Sequence, residues 1–196
     1  LPGTTDTNRK GTPCTKKDET THLSRLFSYA GRAWYRRTVD IPKTWKKKII
    51  RLHLERTKPT TVFIDGKLVG TSNDISTAQT HDLSQFIKPG KHEITIMVDN
   101  GSGVPKQLYA NSHAYTEDTQ TNWNGIVGKF RIEAMNSTYI KKVSVCPLLS
   151  KHAARIHLVM NTDAPATGKI SVEGHAWNTT EKSVVKKKTF GVEMLQ

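Results

Sequence analysis

The stretch AYTEDTQTNWNGIVG, Ala114 to Gly128, gathers two carboxylates, two asparagines, a tyrosine and a tryptophan with little alternation. Glu117 and Asp118 are the residue types of a general acid and base, but they are adjacent. On extended backbone adjacent side chains point to opposite sides, whereas two carboxyls that share a bond-cleaving task must face each other across the substrate. The pair is better suited to holding a ligand. A carboxylate accepts from two hydroxyls at once, Asn122 or Asn124 both donates and accepts, and Trp123 can cover the apolar face of a pyranose. A structural role stays equally open: Trp123 can anchor a core, and the polar side chains can bond the loop's own backbone.

Other chemistry finds less support. The eight histidines, at 22, 53, 81, 92, 113, 152, 157 and 175, show no His-x-x-x-His or Glu-x-x-His spacing, so surface histidines are expected, with no metal and no cofactor. His53, between Leu52 and Leu54, should point outward with Arg51 and Glu55. There is no Gly-x-Ser-x-Gly elbow, no phosphate-cradling GxxxxGK[ST] and no GxGxxG after a strand. Cys14 and Cys146 exclude a disulfide framework; two buried free thiols are expected, with one bridge as the alternative.

The net charge of +13 raises an acidic polymer as partner. Its distribution argues otherwise, since the excess is +8 up to Tyr139 and +5 from Ile140 onward, with no exclusively basic block. The clusters KTWKKKIIR, from Lys43, and KKK, from Lys186, sit beside turn signals or inside an alternating pattern, as solvated loops and strand faces do. Polyanion binding through Lys43, Lys46, Lys47, Lys48 and Arg51 is a lesser reading, and nucleic acid is not the expected partner. No apolar run approaches the roughly 18 residues of a membrane helix.

The elements that must position these residues are strands. WYRRTVDIP, IIRLHLER, TTVFIDGKLVG, HEITIMVDN, GKFRIEAM, IKKVSVCPLL, ARIHLVMN and KISVEGHAW alternate with period two or are rich in β-branched residues. Asp65-Gly66 predicts a two-residue hairpin turn and Pro89-Gly90 the launch of a strand. Helical periodicity is limited to one turn at HDLSQFI, with Asp82 as its cap. The polar opening predicts an extended surface wrap up to the first strong strand at Ala33. Such a pattern gives an all-β fold, a sandwich or jelly roll.

A long polar connection follows Gly101, of a length that suggests function. A boundary is expected near Pro147, giving domains 1–147 and 148–196. The second is too short for a closed immunoglobulin-type sandwich, and TFGVEMLQ reads as an interrupted strand or linker, so the chain is expected to be a piece of a longer protein.

Taken jointly, GRAWYRRTVDIPKTWKKKIIRLHLER, TTVFIDGKLVGTSNDISTAQTHDLSQFIKPGKHEITIMVDN and TEDTQTNWNGIVGKFRIEA resemble the N-terminal sugar-binding domain of glycoside hydrolase family 2, the family of β-galactosidases, β-glucuronidases and β-mannosidases. The resemblance covers about residues 1–147. It implies a jelly-roll sandwich of the galactose-binding-domain type, then the first strands of an immunoglobulin-like domain from Leu148. It also implies that the catalytic glutamates lie in a downstream (β/α)₈ barrel outside these residues, so this segment is expected to be non-catalytic. A loop of the first domain would lend polar side chains to the sugar at the barrel's mouth. Here that loop is Asn100–Gly125, with Glu117, Asp118, Asn122 and Asn124 bonding hydroxyls and Trp123 or Tyr115 as platform. The implied partners are a β-galactoside or related glycoside and the parent's own barrel, in a periplasmic or extracellular setting. A purely structural interdomain module is the alternative.

Overall fold

A computed structural model describes residues 1–15, 20, 23–101, 107, 113, 115, 122–151, 153–162, 166–175 and 184–194. The chain divides into two compact units, Leu1–Met135 and Asn136–Gln196.

Among its described residues the first unit holds ten strands: β1 (Gly3–Thr4), β2 (Thr12–Pro13), β3 (Phe27–Ser28), β4 (Arg32–Ile41), β5 (Ile49–Thr57), β6 (Thr60–Ile64), β7 (Lys67–Ser72), β8 (Gln79–Asp82), β9 (Gly90–Asp99) and β10 (Gly125–Met135). Two four-stranded antiparallel sheets result, ordered β1-β10-β5-β8 and β4-β9-β6-β7, with β2 and β3 as a separate short ladder. From β4 onward the chain changes sheet at nearly every step, the winding of a jelly-roll sandwich. Alternation explains the core. Ile50, Leu52 and Leu54 of β5 are buried while Arg51 and His53 between them are not, as expected for His53. These meet Val62 and Ile64 of β6 and Ile94, Ile96 and Val98 of β9 in one apolar cluster. Leu52 is fully enclosed, so truncation to alanine costs about 2 to 5 kcal/mol.

The local signals materialise. Asp65 (φ 49°) and Gly66 (φ 78°) form the β6–β7 turn, where both central residues need positive φ. The Asp65 carboxylate also accepts from the Glu93 amide at 2.8 Å and from His92 at 2.6 Å, which ties the turn to β9 and holds its carboxyl below the usual range. Asp82 caps the turn at Leu83–Ile87 by accepting from the Ser84 amide at 2.9 Å. Lys43–Trp45 is a 3-10 turn whose tryptophan packs on the core, leaving Lys43, Lys46 and Lys47 exposed. The opening segment is less extended than expected: β1 pairs with β10, and the following turn is closed by Thr4 and Thr7 bonding each other.

Three expectations need correction. His81 is buried, because it alternates inward from β8 and meets the Thr60 hydroxyl at 3.2 Å. His92 is not a free surface histidine either, being held between Asp65 and the Lys88 carbonyl. Both cysteines are free, but Cys14 is half-buried and Cys146 exposed, since neither lies on a core-facing position.

The second unit is also antiparallel. β11 (Tyr139–Leu148) pairs with β12 (Ala153–Asn161), and β13 (Ala166–His175) with β14 (Val184–Met194). Pro147 lies inside β11, opposite Ala154. TFGVEM is not an interrupted strand: β14 runs through Gly191 without a break, its valines, Thr189 and Phe190 supplying the β-propensity.

Candidate functional site

At the end where β9 leaves the sandwich and β10 enters it, three asparagines meet. Asn100 follows β9, and Asn122 and Asn124 precede β10; all three are buried. Asn122 Nδ2 donates to the Asn100 carbonyl at 3.0 Å, and Asn100 Nδ2 donates to Asn122 Oδ1 at 3.3 Å and to the Tyr29 carbonyl at 2.8 Å. Asn100 Oδ1 accepts from the Gly31 amide at 3.0 Å. Asn124 Nδ2 shares its two hydrogens among Asn100 Oδ1 (3.1 Å), the Gly31 carbonyl (3.0 Å) and the Val98 carbonyl (2.9 Å). Its Oδ1 accepts from the Tyr35 hydroxyl at 2.8 Å. Burial, and secondarily Tyr29, pushes the Tyr35 phenol up to about 12, so it remains a donor at any physiological pH.

The backbone fixes this geometry further. Gly125 has φ +142°, and a Cβ there would stand 2.2 Å from the Gly3 carbonyl oxygen, so glycine is required where β1 crosses. The Thr5 amide donates to the Asn124 carbonyl at 2.8 Å, and an Arg25 guanidinium nitrogen donates to the Asn122 carbonyl. On the other flank, Asp99 pairs with Arg32 at 3.2 Å and accepts from the Gly101 amide at 2.9 Å. Both ends of the connection are thereby pinned by amides and carboxylates whose bonds are internal. Among the described residues no buried side-chain nitrogen or oxygen lacks a partner.

A third fastening lies beside this network. Lys58, in the short link between β5 and β6, is 3% exposed, and its ammonium stands 4.1 Å from the Tyr115 ring centre and 5.2 Å from that of Trp123. Burial pushes this amine down to about 8, while two aromatic faces favour its charged form. The link itself is held by Gln79 Nε2 donating to the Lys58 carbonyl at 3.1 Å, and Thr60 joins Gln79 to His81. Burial lowers the His81 pKa and so favours the neutral ring. With the Thr60 hydroxyl donating to Gln79, the imidazole Nε2–H donates to Thr60.

The expected site residues thus separate. Tyr115 and Trp123 come together under Lys58, Tyr115 buried and Trp123 half-buried. Asn122 and Asn124 join the network, their side-chain amides engaged within the chain. Glu117 and Asp118 lie outside the described residues. Sequence reasoning missed Asn100, Lys58 and Tyr35. The signal available for Asn100 was a polar residue ending an apolar strand at the start of a long connection; for Lys58 it was a lysine beside a proline between two core strands. Among the described residues no three His, Cys, Asp or Glu side chains are placed to share a metal ion, and no helix is long and apolar enough to cross a membrane.

A family model described as glycosyl hydrolases family 2, sugar binding domain, matches residues 17–135. Among curated proteins nothing matches. Solved structures share the fold at low identity. A β-glucuronidase of an uncultured Clostridium species aligns with TM-score 0.59 at 19% identity, over 86% of this chain and 30% of its own. Bacteroides uniformis β-glucuronidase 2, bound covalently to cyclophellitol-6-carboxylate aziridine, aligns with TM-score 0.65 at 21%, over 85% and 20%. A Bacteroides fragilis protein provisionally designated a β-galactosidase aligns with TM-score 0.64 at 18%, over 86% and 26%. The chain therefore spans less than a third of each.

Proposed function

The chain belongs to the sugar-binding domain family of the glycosyl hydrolases of family 2, and from that membership we propose that it serves a parent glycoside hydrolase as a non-catalytic carbohydrate-binding and scaffolding domain. Its connection between Asn100 and Asn122 lends polar side chains to the sugar subsite of a catalytic barrel elsewhere in that parent. The bond broken there is O-glycosidic, in a β-galactoside or β-glucuronide, the substrates named for its structural relatives. A periplasmic or extracellular setting suits such a substrate. The second unit is the start of an immunoglobulin-like domain that follows.

The observation that supports this reading most is the fastening of the connection. Asn122 and Asn124 spend their amides internally, and Tyr115 and Trp123 lie against Lys58. The six residues between Tyr115 and Asn122 in the sequence include Glu117 and Asp118, which become the side chains proposed to meet hydroxyls, together with the exposed part of Trp123. Preorganised ends lower the ordering cost of binding. The completeness of the asparagine network also favours a second reading, an interdomain strut without sugar contact.

Titrating methyl β-galactoside and methyl β-glucuronide into the chain separates the two. Glu117→Gln with Asp118→Asn should weaken binding at least tenfold and leave the melting temperature unchanged. Binding that the double variant does not alter overturns the sugar contact and leaves the strut.

A further inference from the structure

Among the described residues one long side of the sandwich is open. Among the described residues β4 ends its sheet with β9 as its one neighbour, and β10 beyond Ile126 has β5 alone, because β1 covers just Gly125 and Ile126. Between these two edges runs a cleft of about 780 Å³, lined by Phe130 and Ile132 and reaching the buried Leu52, Ile94 and Ile96 at its base. Two rows of backbone N–H and C=O groups thus face a cavity whose floor is the core itself. A strand edge of this length is a template for another strand unless something covers it.

Arg37 specifies what fits. It stands opposite Ile94 in the β4–β9 register and alternates with Tyr35 and Val39, so it belongs to the face that the sheet turns toward the core. Yet it is exposed, because the cleft is open there. A strand laid along β4 would cover this guanidinium, and a covered cation without a counter-ion is strongly unfavourable. Arg36 and Arg131 also line the cleft, but each is already paired, with Glu93 at 3.6 Å and Glu133 at 2.8 Å, and Asp40 shares the lining. Antiparallel pairing of β4 with β4 of a second copy, centred at Arg36–Arg37, would set these arginines against their own duplicates. A compact small molecule cannot satisfy two extended backbone edges. Leu1 and Pro2 complete the lining of this cleft.

We propose that the cleft between β4 and β10 is the seat of an extended polypeptide strand whose inward side chains are apolar except for one carboxylate that meets Arg37. The mode is β-augmentation: main-chain bonds supply affinity, and alternate side chains in the cleft supply selectivity.

The probe is a capped octapeptide of alternating valine and threonine with one central valine replaced by glutamate, beside a lysine version and a version interrupted by prolines. Calorimetric titration gives affinity, and hydrogen exchange reads the amides of Trp34–Asp40 and Phe130–Met135. The glutamate peptide should protect those amides and bind at least tenfold more tightly than the lysine peptide. Arg37→Glu should reverse that order, and Arg37→Gln should level it. Absence of protection, an order that Arg37→Glu fails to reverse, or equal binding of the proline peptide overturns the proposal. So does a dimer that protects the same amides without peptide.

Discussion

The asparagines at 100, 122 and 124 and the lysine at 58 hold the same connection by opposite physics. The asparagine network uses neutral groups that match donors to acceptors, so its strength lies in completeness: each amide removed strands several buried partners. The lysine clamp uses a charge taken out of water and set over two rings, so desolvation opposes the attraction and little net stability is left. The first should be indispensable and indifferent to pH. The second should be dispensable for folding and sensitive to pH, and it reaches Tyr115 inside the connection as well as Trp123 at its end.

The largest expected effect tests the first half of that contrast. Asn124→Ala leaves the Tyr35 hydroxyl, the Val98 carbonyl and part of Asn100 without their partner, and should cost about 3 to 5 kcal/mol in denaturant titrations at any pH between 6 and 9. A loss below about 1 kcal/mol would mean that water replaces the amide and that the network is not what closes this end.

Next comes Lys58→Met. At pH 7 its stability should lie within about 1 kcal/mol of the parent chain, while protease cleavage between Gly101 and Asn122 accelerates. The folded amine titrates near 8 against 10.5 in the unfolded chain, so between those values the unfolded state holds more protons and the parent gains stability as pH rises. Solvent screening and the rings reduce that gain to about 1 to 2 kcal/mol relative to Lys58→Met. Melting curves of both proteins at pH 7, 9 and 10 measure it, and parallel curves would remove the charge from the clamp.

The smallest effect concerns His81. Its pKa is depressed by burial, so below the ordinary value of 6.5 the unfolded chain takes up a proton the folded chain resists. Stability should fall as pH drops from 6.5 toward the folded value, and His81→Gln, which keeps a donor toward Thr60, should flatten that part of the melting-temperature profile. The asparagine network contributes nothing to this slope, which makes it an internal control.

Much of the fold was legible because its causes are local. Leu52 and Leu54 flanking His53 mark a half-buried strand whatever the strand pairs with, and Asp65-Gly66 closes a hairpin by its own backbone preference. The candidate site was legible only as composition. Asn122 and Asn124 read equally well as hydroxyl binders and as backbone bonders, because an amide offers the same donors and acceptors to either. Their partners, Asn100, Gly31, Val98 and Tyr35, come from strands far away in the chain. Lys58 was unreadable for the same reason: burial of a lysine depends on what crosses over it.

By itself, then, the sequence determined an antiparallel sandwich, its turns and its membership in the sugar-binding domain family, since period, turn residues and motif order are properties of neighbouring residues. The tertiary structure decided which polar side chains face inward, where a cation is enclosed by rings, and that β4 and β10 border an open cleft. Those outcomes depend on sheet order, and sheet order is set by contacts between residues that no local pattern links.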